Sequence, residues 1–76
     1  MSYSQEEIRR CKERWESAKA QRRAAHDRVI AAFAHFVAGV GSGPSKVEIA
    51  RLKVCTAVEE EVAHNYVMLL ESSLRG

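Results

Sequence analysis

Gly39-Val40-Gly41-Ser42-Gly43-Pro44-Ser45 is the stretch on which the fold of this chain turns. Three of the four glycines and the only proline fall inside these seven residues. On either side lie roughly thirty residues of helix-forming composition, with apolar side chains returning every three or four positions as one helix face requires. The reading is an all-α protein: two long helices folded back on each other as an antiparallel, coiled-coil-like hairpin. The expected bounds are one domain over residues 1–76, with a helix at 5–39, a loop at 40–44 and a helix at 45–73.

Both helix starts are written in the chain. Ser4 with Glu7, and Ser45 with Glu48, have the spacing of capping boxes, in which the serine hydroxyl and the glutamate each satisfy an orphan backbone N–H. Tyr3 and Ile8 stand where a hydrophobic staple would form, and Glu6 and Glu7 suit the positive end of a helix dipole. Pro44 blocks backward extension of the second helix. Gly39 or Gly41 supplies the left-handed residue that ends the first. Ser72, Ser73 and Gly76 suggest fraying at the far end.

Upstream of the loop the apolar face keeps a heptad rhythm: Ile8, Cys11, Trp15, Ala18, Arg22, Ala25, Val29, Ala32, Phe36. Such a run argues for packing on another helix at a shallow angle, and the three alanines allow the axes close approach. Ile30, Phe33, Val37 and Val40 then add a second apolar flank next to the loop. Downstream, the densest face is Leu52, Cys55, Val58, Val62, Tyr66, Leu69 and Leu70, with Ile49, Ala63, Val67 and Leu74 beside it. This is wider than one partner helix covers.

Arg22 interrupts the apolar stripe. A guanidinium there needs a carboxylate or an exit to solvent. With a turn near Ser42 its level is residues 59–62, so Glu59 and Glu61 are the expected partners in an ion pair that fixes register.

At 76 residues the chain is a single small domain, 46% hydrophobic and 29% charged with a formal charge of +2, too apolar for a disordered segment. A hairpin of this size balances burial against chain entropy near zero, and natural small proteins escape by disulfides, metals or oligomerisation. Cys11 and Cys55 sit about 25 Å apart in such a hairpin at 1.5 Å per residue, far outside disulfide reach. Reduced cysteines and a polar, acidic start suggest a cytoplasmic protein. The longest uncharged run, Val29 to Ser45, is too short in its apolar part for a membrane span.

Chemistry-bearing patterns are sparse. The loop lacks the glycine-lysine pair and preceding strand of a phosphate loop. His26, His35 and His64 fall at different levels and form no zinc-ligand set with the cysteines. His35 and Glu48 are the closest approach to an acid–base pair. Two helices offer no concave pocket. The expectation is therefore no catalytic residues, no cofactor, no metal and no small-molecule substrate.

What remains is surface. The apolar flanks read as an interface (Ile30, Phe33, Val37, Val40, Ile49 and Val67) that completes a homodimeric four-helix bundle or meets a heterologous protein. That makes the chain a non-enzymatic interaction module: an adaptor, a regulator or a chaperone-like subunit. The alternative uses charge. Between Arg9 and Arg28 there are eight basic and three acidic residues. Arg9, Lys12, Lys19 and Arg23 share a flank that could contact phosphates of a nucleic acid or an acidic partner.

Overall fold

The computed structural model describes residues 4–75. It has two helices, α1 (Gln5–Val37) and α2 (Lys46–Arg75), packed against each other. The expected Tyr3 staple and the expected fraying at Gly76 lie outside the described residues.

The caps explain the boundaries. Ser4 is extended (φ −71°, ψ 155°), and its hydroxyl accepts the Glu7 backbone N–H at 3.2 Å. At Ser45 the box is reciprocal: Glu48 N–H donates to Ser45 Oγ and Ser45 N–H donates to Glu48 Oε1, both at 3.1 Å. Between them α1 closes with a pair of nested bonds. Gly39 N–H donates to the Phe36 carbonyl at 3.0 Å and Val40 N–H to the His35 carbonyl at 2.8 Å. This 5→2 and 6→1 arrangement needs a left-handed residue after the cap, and Gly39 provides it with φ +82°. So α1 stops at Val37, two residues short of the expected 39. At its far end α2 continues to Arg75 rather than ending at 73. Ser72 and Ser73 are half-buried there, the packing having carried the helix through them.

The seam of α1 is the heptad run read from the sequence. Ile8, Cys11, Trp15, Arg22, Val29 and Ala32 are half-buried and Ala18 and Ala25 are fully buried. Only the two alanines are buried, because a small side chain on a close-approach line is covered by the facing helix, whereas larger ones reach the open flanks.

On α2 the seam differs from the expected face. It runs through Glu48, Leu52, Cys55, Glu59, Val62, Tyr66, Leu69 and Ser73, alternating steps of four and three, while Val58 is 43% exposed. Three polar residues occupy inward positions and a valine is left outside. The alternating spacing of Leu52, Cys55, Val62 and Tyr66 puts position 59 and not 58 on the seam, and there Glu59 Oε2 accepts from Arg22 Nε across the helices.

Two contacts set the register. Trp15 and Tyr66 stack with ring centroids 5.7 Å apart, and one heptad on, Arg22 meets Glu59. The pairing steps seven residues along each helix in opposite directions, as antiparallel helices of matched period should. It places Cys11 level with Leu70 and Cys55 level with His26, two or three residues off the register expected from a turn at Ser42. Both cysteines are free and half-buried.

The result is a rod of 57 × 15 × 14 Å with a radius of gyration of 17.1 Å, against about 11 Å for a compact chain of this length. Its accessible surface is 6021 Å², where a globular protein of this mass exposes about 4,700 Å².

Candidate functional site

A helix pair has two open sides. On one, Gln21, Ala24, Ala25 and Arg28 of α1 line a shallow groove with Arg51 and Cys55 of α2. The opposite flank of α1, two residues out of phase with Gln21 and Arg28, carries Lys12, Lys19, His26 and Phe33, with Arg9, Glu16, Arg23, Ile30 and Val37 just outside them, and Val40 follows in the turn. Facing them across the pair on α2 are Ile49, Thr56, Ala63 and Leu70. The predicted basic and apolar flanks of α1 are thus one stripe, basic from Arg9 to Arg23 and apolar from Ile30 to Val37, with Val40 in the turn beyond it.

The apolar end is open. Ile30 is 53% exposed, Phe33 55%, Val37 70%, Val40 65% and Ile49 40%. Phe36 joins them at 53%. The heptad run places it in the seam, but its level lies before the first turn of α2, so no partner helix covers it. Instead it lies against Phe33, centroids 6.5 Å apart, and over Gly43, where a Cβ would come within 3.5 Å of the ring. The loop folds under Phe36, and the two phenylalanines stand at the tip of the rod. The sequence did carry the signal: Phe36 is nine positions before Ser45, and a tight turn uses up that distance.

Val67 is not part of this surface. It is 49% exposed, but at 1.5 Å per residue it stands about 27 Å from Ile49 along α2. The six residues expected to form one interface divide into five at the tip and one near the termini. Val47, Val54 and Met68 are exposed as well, at positions of α2 that belong to the groove side.

The basic end is locally compensated. Arg9 holds both Glu6 carboxylate oxygens at 2.7 Å, and Arg10 reaches the same group at 3.5 Å. Lys12 lies 3.9 Å from Glu16. The Lys19 ammonium sits 5.6 Å from the Trp15 ring centroid, over its face. Arg23 is exposed beside Glu16 and Asp27 in a shallow hollow. Exposed pairs of this kind contribute little to stability, but they leave less free positive charge than the sequence count implies.

Arg22 and Glu59 are the pair that the sequence proposed, with side chains 30% and 19% exposed. Glu61 is exposed, and Arg22 bonds to Glu59. The histidines stay apart. His35 and His64 are exposed, and His26 lies 3.7 Å from Asp27. Glu48 does not serve His35; its carboxylate is committed to Ser45. The Ser45 backbone N–H, then the Ser45 hydroxyl, hold its pKa below the ordinary 4.5, with Arg28 adding a smaller push. Among the described residues no group of three His, Cys, Asp or Glu side chains converges on a metal-sized space. No helix of the described residues is long and apolar enough to cross a membrane.

Comparison with protein-family models, with curated proteins and with solved structures found no match to this chain. The functional reading therefore rests on the surface alone.

Proposed function

We propose that this chain is a small non-enzymatic protein–protein interaction module that works through its apolar tip, and that it homodimerises into a four-helix assembly. The observation that carries this reading is the exposure of six large apolar side chains on and around one turn: Ile30, Phe33, Phe36, Val37, Val40 and Ile49. Contiguous apolar surface of this kind on a charged protein marks a site that another surface covers. The excess area points the same way. A rod that exposes roughly 1,300 Å² more than a globular protein of equal mass has room to bury an interface, and few other means of gaining stability.

Nucleic-acid binding through Arg9, Lys12, Lys19 and Arg23 is the weaker proposal. Arg9 and Lys12 have carboxylate partners on their own helix, and Lys19 lies over Trp15.

The test is mass in solution. Light scattering should give twice the 8.5 kDa chain mass at high concentration. Phe33→Asp together with Val37→Asp should return the protein to monomer with its helicity by circular dichroism intact, since both side chains are already exposed in the isolated hairpin. A wild-type chain that stays monomeric at millimolar concentration would rule out the homodimer.

A further inference from the structure

Resting on the interaction reading above, we infer that the partner of the apolar tip is the tip of a second copy, with the two rods pointing in opposite directions and overlapping only at their loop ends. Two observations fix this arrangement. The first is where charge begins. On the face that carries Phe33 and Ile49, residues 30–37 of α1 and the turn residues 38–40 contribute only apolar side chains apart from the exposed His35 and small alanines and glycine. Seven residues before Ile30 the same stripe becomes Arg23, Lys19, Glu16, Lys12 and Arg9, with Lys53 and Glu60 beside it on α2. A full-length face-to-face dimer, in either direction, would draw these five cations and two carboxylates into its interface and strip them of water, which is costly unless each finds a partner. Overlap confined to the tip buries the apolar part and leaves those charges outside; Lys46, at its level at the start of α2, is exposed.

The second observation is direction. If both rods pointed the same way from a shared tip, the two basic stripes would lie side by side, within or near the screening length of about 8 Å at physiological salt. About a two-fold axis perpendicular to the rods, near the level of Phe33 and Val37, the stripes run off to opposite ends. The two Arg23 residues are then more than about 30 Å apart at 1.5 Å per residue, and their repulsion is screened out. An isologous contact of this type is self-complementary and closes at two copies.

The area is sufficient, though modest. Six half-exposed large side chains contribute roughly 100 Å² each, given the 150–250 Å² that an aromatic residue can bury. That is about 1,200 Å² for the two copies together, the low end of specific interfaces. The dimer should therefore dissociate on dilution, and its basic stripes stay free in solution at the two far ends.

Small-angle scattering of the wild-type protein, run as a concentration series with mass from forward scattering, tests this directly. The tip-to-tip dimer has a maximum dimension of about 95 Å, two 57 Å rods less an overlap of about 15–20 Å at helical rise. Doubled mass with that length, falling to single mass and about 57 Å in Phe33→Asp, is the expected result. Doubled mass with a length near 57 Å overturns the arrangement but keeps the homodimer. Single mass at every concentration overturns both. A Phe33→Asp chain that remains a long dimer overturns the assignment to the tip.

Discussion

The two ends of this rod are built on the same backbone and differ in what they do with their side chains. At the terminal end Trp15 reaches across to Tyr66 and is half-buried, and the charged stripe above it is answered locally by Glu6, Glu16 and the Trp15 ring itself. At the tip Phe33 and Phe36 have each other, with a glycine beneath Phe36, and more than half of each remains in water. An aromatic residue at one end is thus spent on holding the hairpin together. At the other end two aromatics are kept available. The teaching is that equal hydrophobicity along a helix does not mean equal contribution to the fold: what counts is whether the partner helix has begun at that level.

The sharpest way to break this comparison is to delete one aromatic from each end. Trp15→Ala should destabilise the monomer by about 2–3 kcal/mol, below the range for fully buried tryptophan because the site is half-open. In a hairpin of this size that is enough to lose most of the helical signal in a urea or thermal melt. Phe33→Ala should change the monomer's melt by less than about 0.5 kcal/mol, as surface substitutions do, while weakening self-association several-fold. Equal losses of stability at both sites would show that the tip is part of the core and remove the basis for calling it an interface.

Much of the hairpin was legible because the signals were local and mutually consistent: Ser-x-x-Glu boxes, a glycine-rich turn, and a heptad run in α1 that a single phase explains. The phase of α2 was less legible. Counting apolar residues favours a face through Val58, but a helix pair is chosen jointly, and the spacing of Leu52, Cys55, Val62 and Tyr66 puts Glu59 on the seam opposite Arg22. The register was read two or three residues out for a related reason. It depends on the three left-handed glycines in the turn, which determine how much chain the reversal consumes. As for the surface, the structure groups the expected residues differently: the apolar and basic flanks of α1 are one stripe, Phe36 moves onto the tip, and Val67 leaves it.

The boundary between the two ends is the Arg22–Glu59 pair, and it offers an intermediate effect. Removing one partner leaves a partly enclosed charge, so Glu59→Ala should cost about 1–2 kcal/mol, between the values for exposed and buried pairs. The double change Arg22→Met with Glu59→Leu should recover most of that loss and could exceed wild type, since an apolar pair fits the seam on both sides. The informative readout is register. If the pair fixes it, the apolar double variant will tolerate a slipped alignment, seen as a loss of the Trp15–Tyr66 contact in tryptophan fluorescence while helicity persists. An unchanged Trp15 environment would make the ion pair a consequence of the register and leave the alanine ridge at Ala18 and Ala25 to set it.

The smallest contrast lies in the caps at the two helix starts. Ser45 and Glu48 bond reciprocally at the tip, whereas at Ser4 the bond present is that from the Glu7 backbone to the serine hydroxyl. Ser45→Ala should therefore cost about 1 kcal/mol and Ser4→Ala about half of that. The tip cap also carries a pH signature. Glu48 is held below its ordinary 4.5 in the folded chain, so the stability it contributes is present above that value and is lost as pH falls through the lowered one. Chemical melts between pH 6 and 3 should show this acid loss in wild type and a flatter profile in Glu48→Gln, with the difference reduced but still present in a Ser45→Ala background, which removes the hydroxyl and keeps the Ser45 backbone N–H that is the larger cause. If Glu48→Gln and wild type lose stability in parallel, the carboxylate is not what ties the tip cap together, and the two helix starts are equivalent after all.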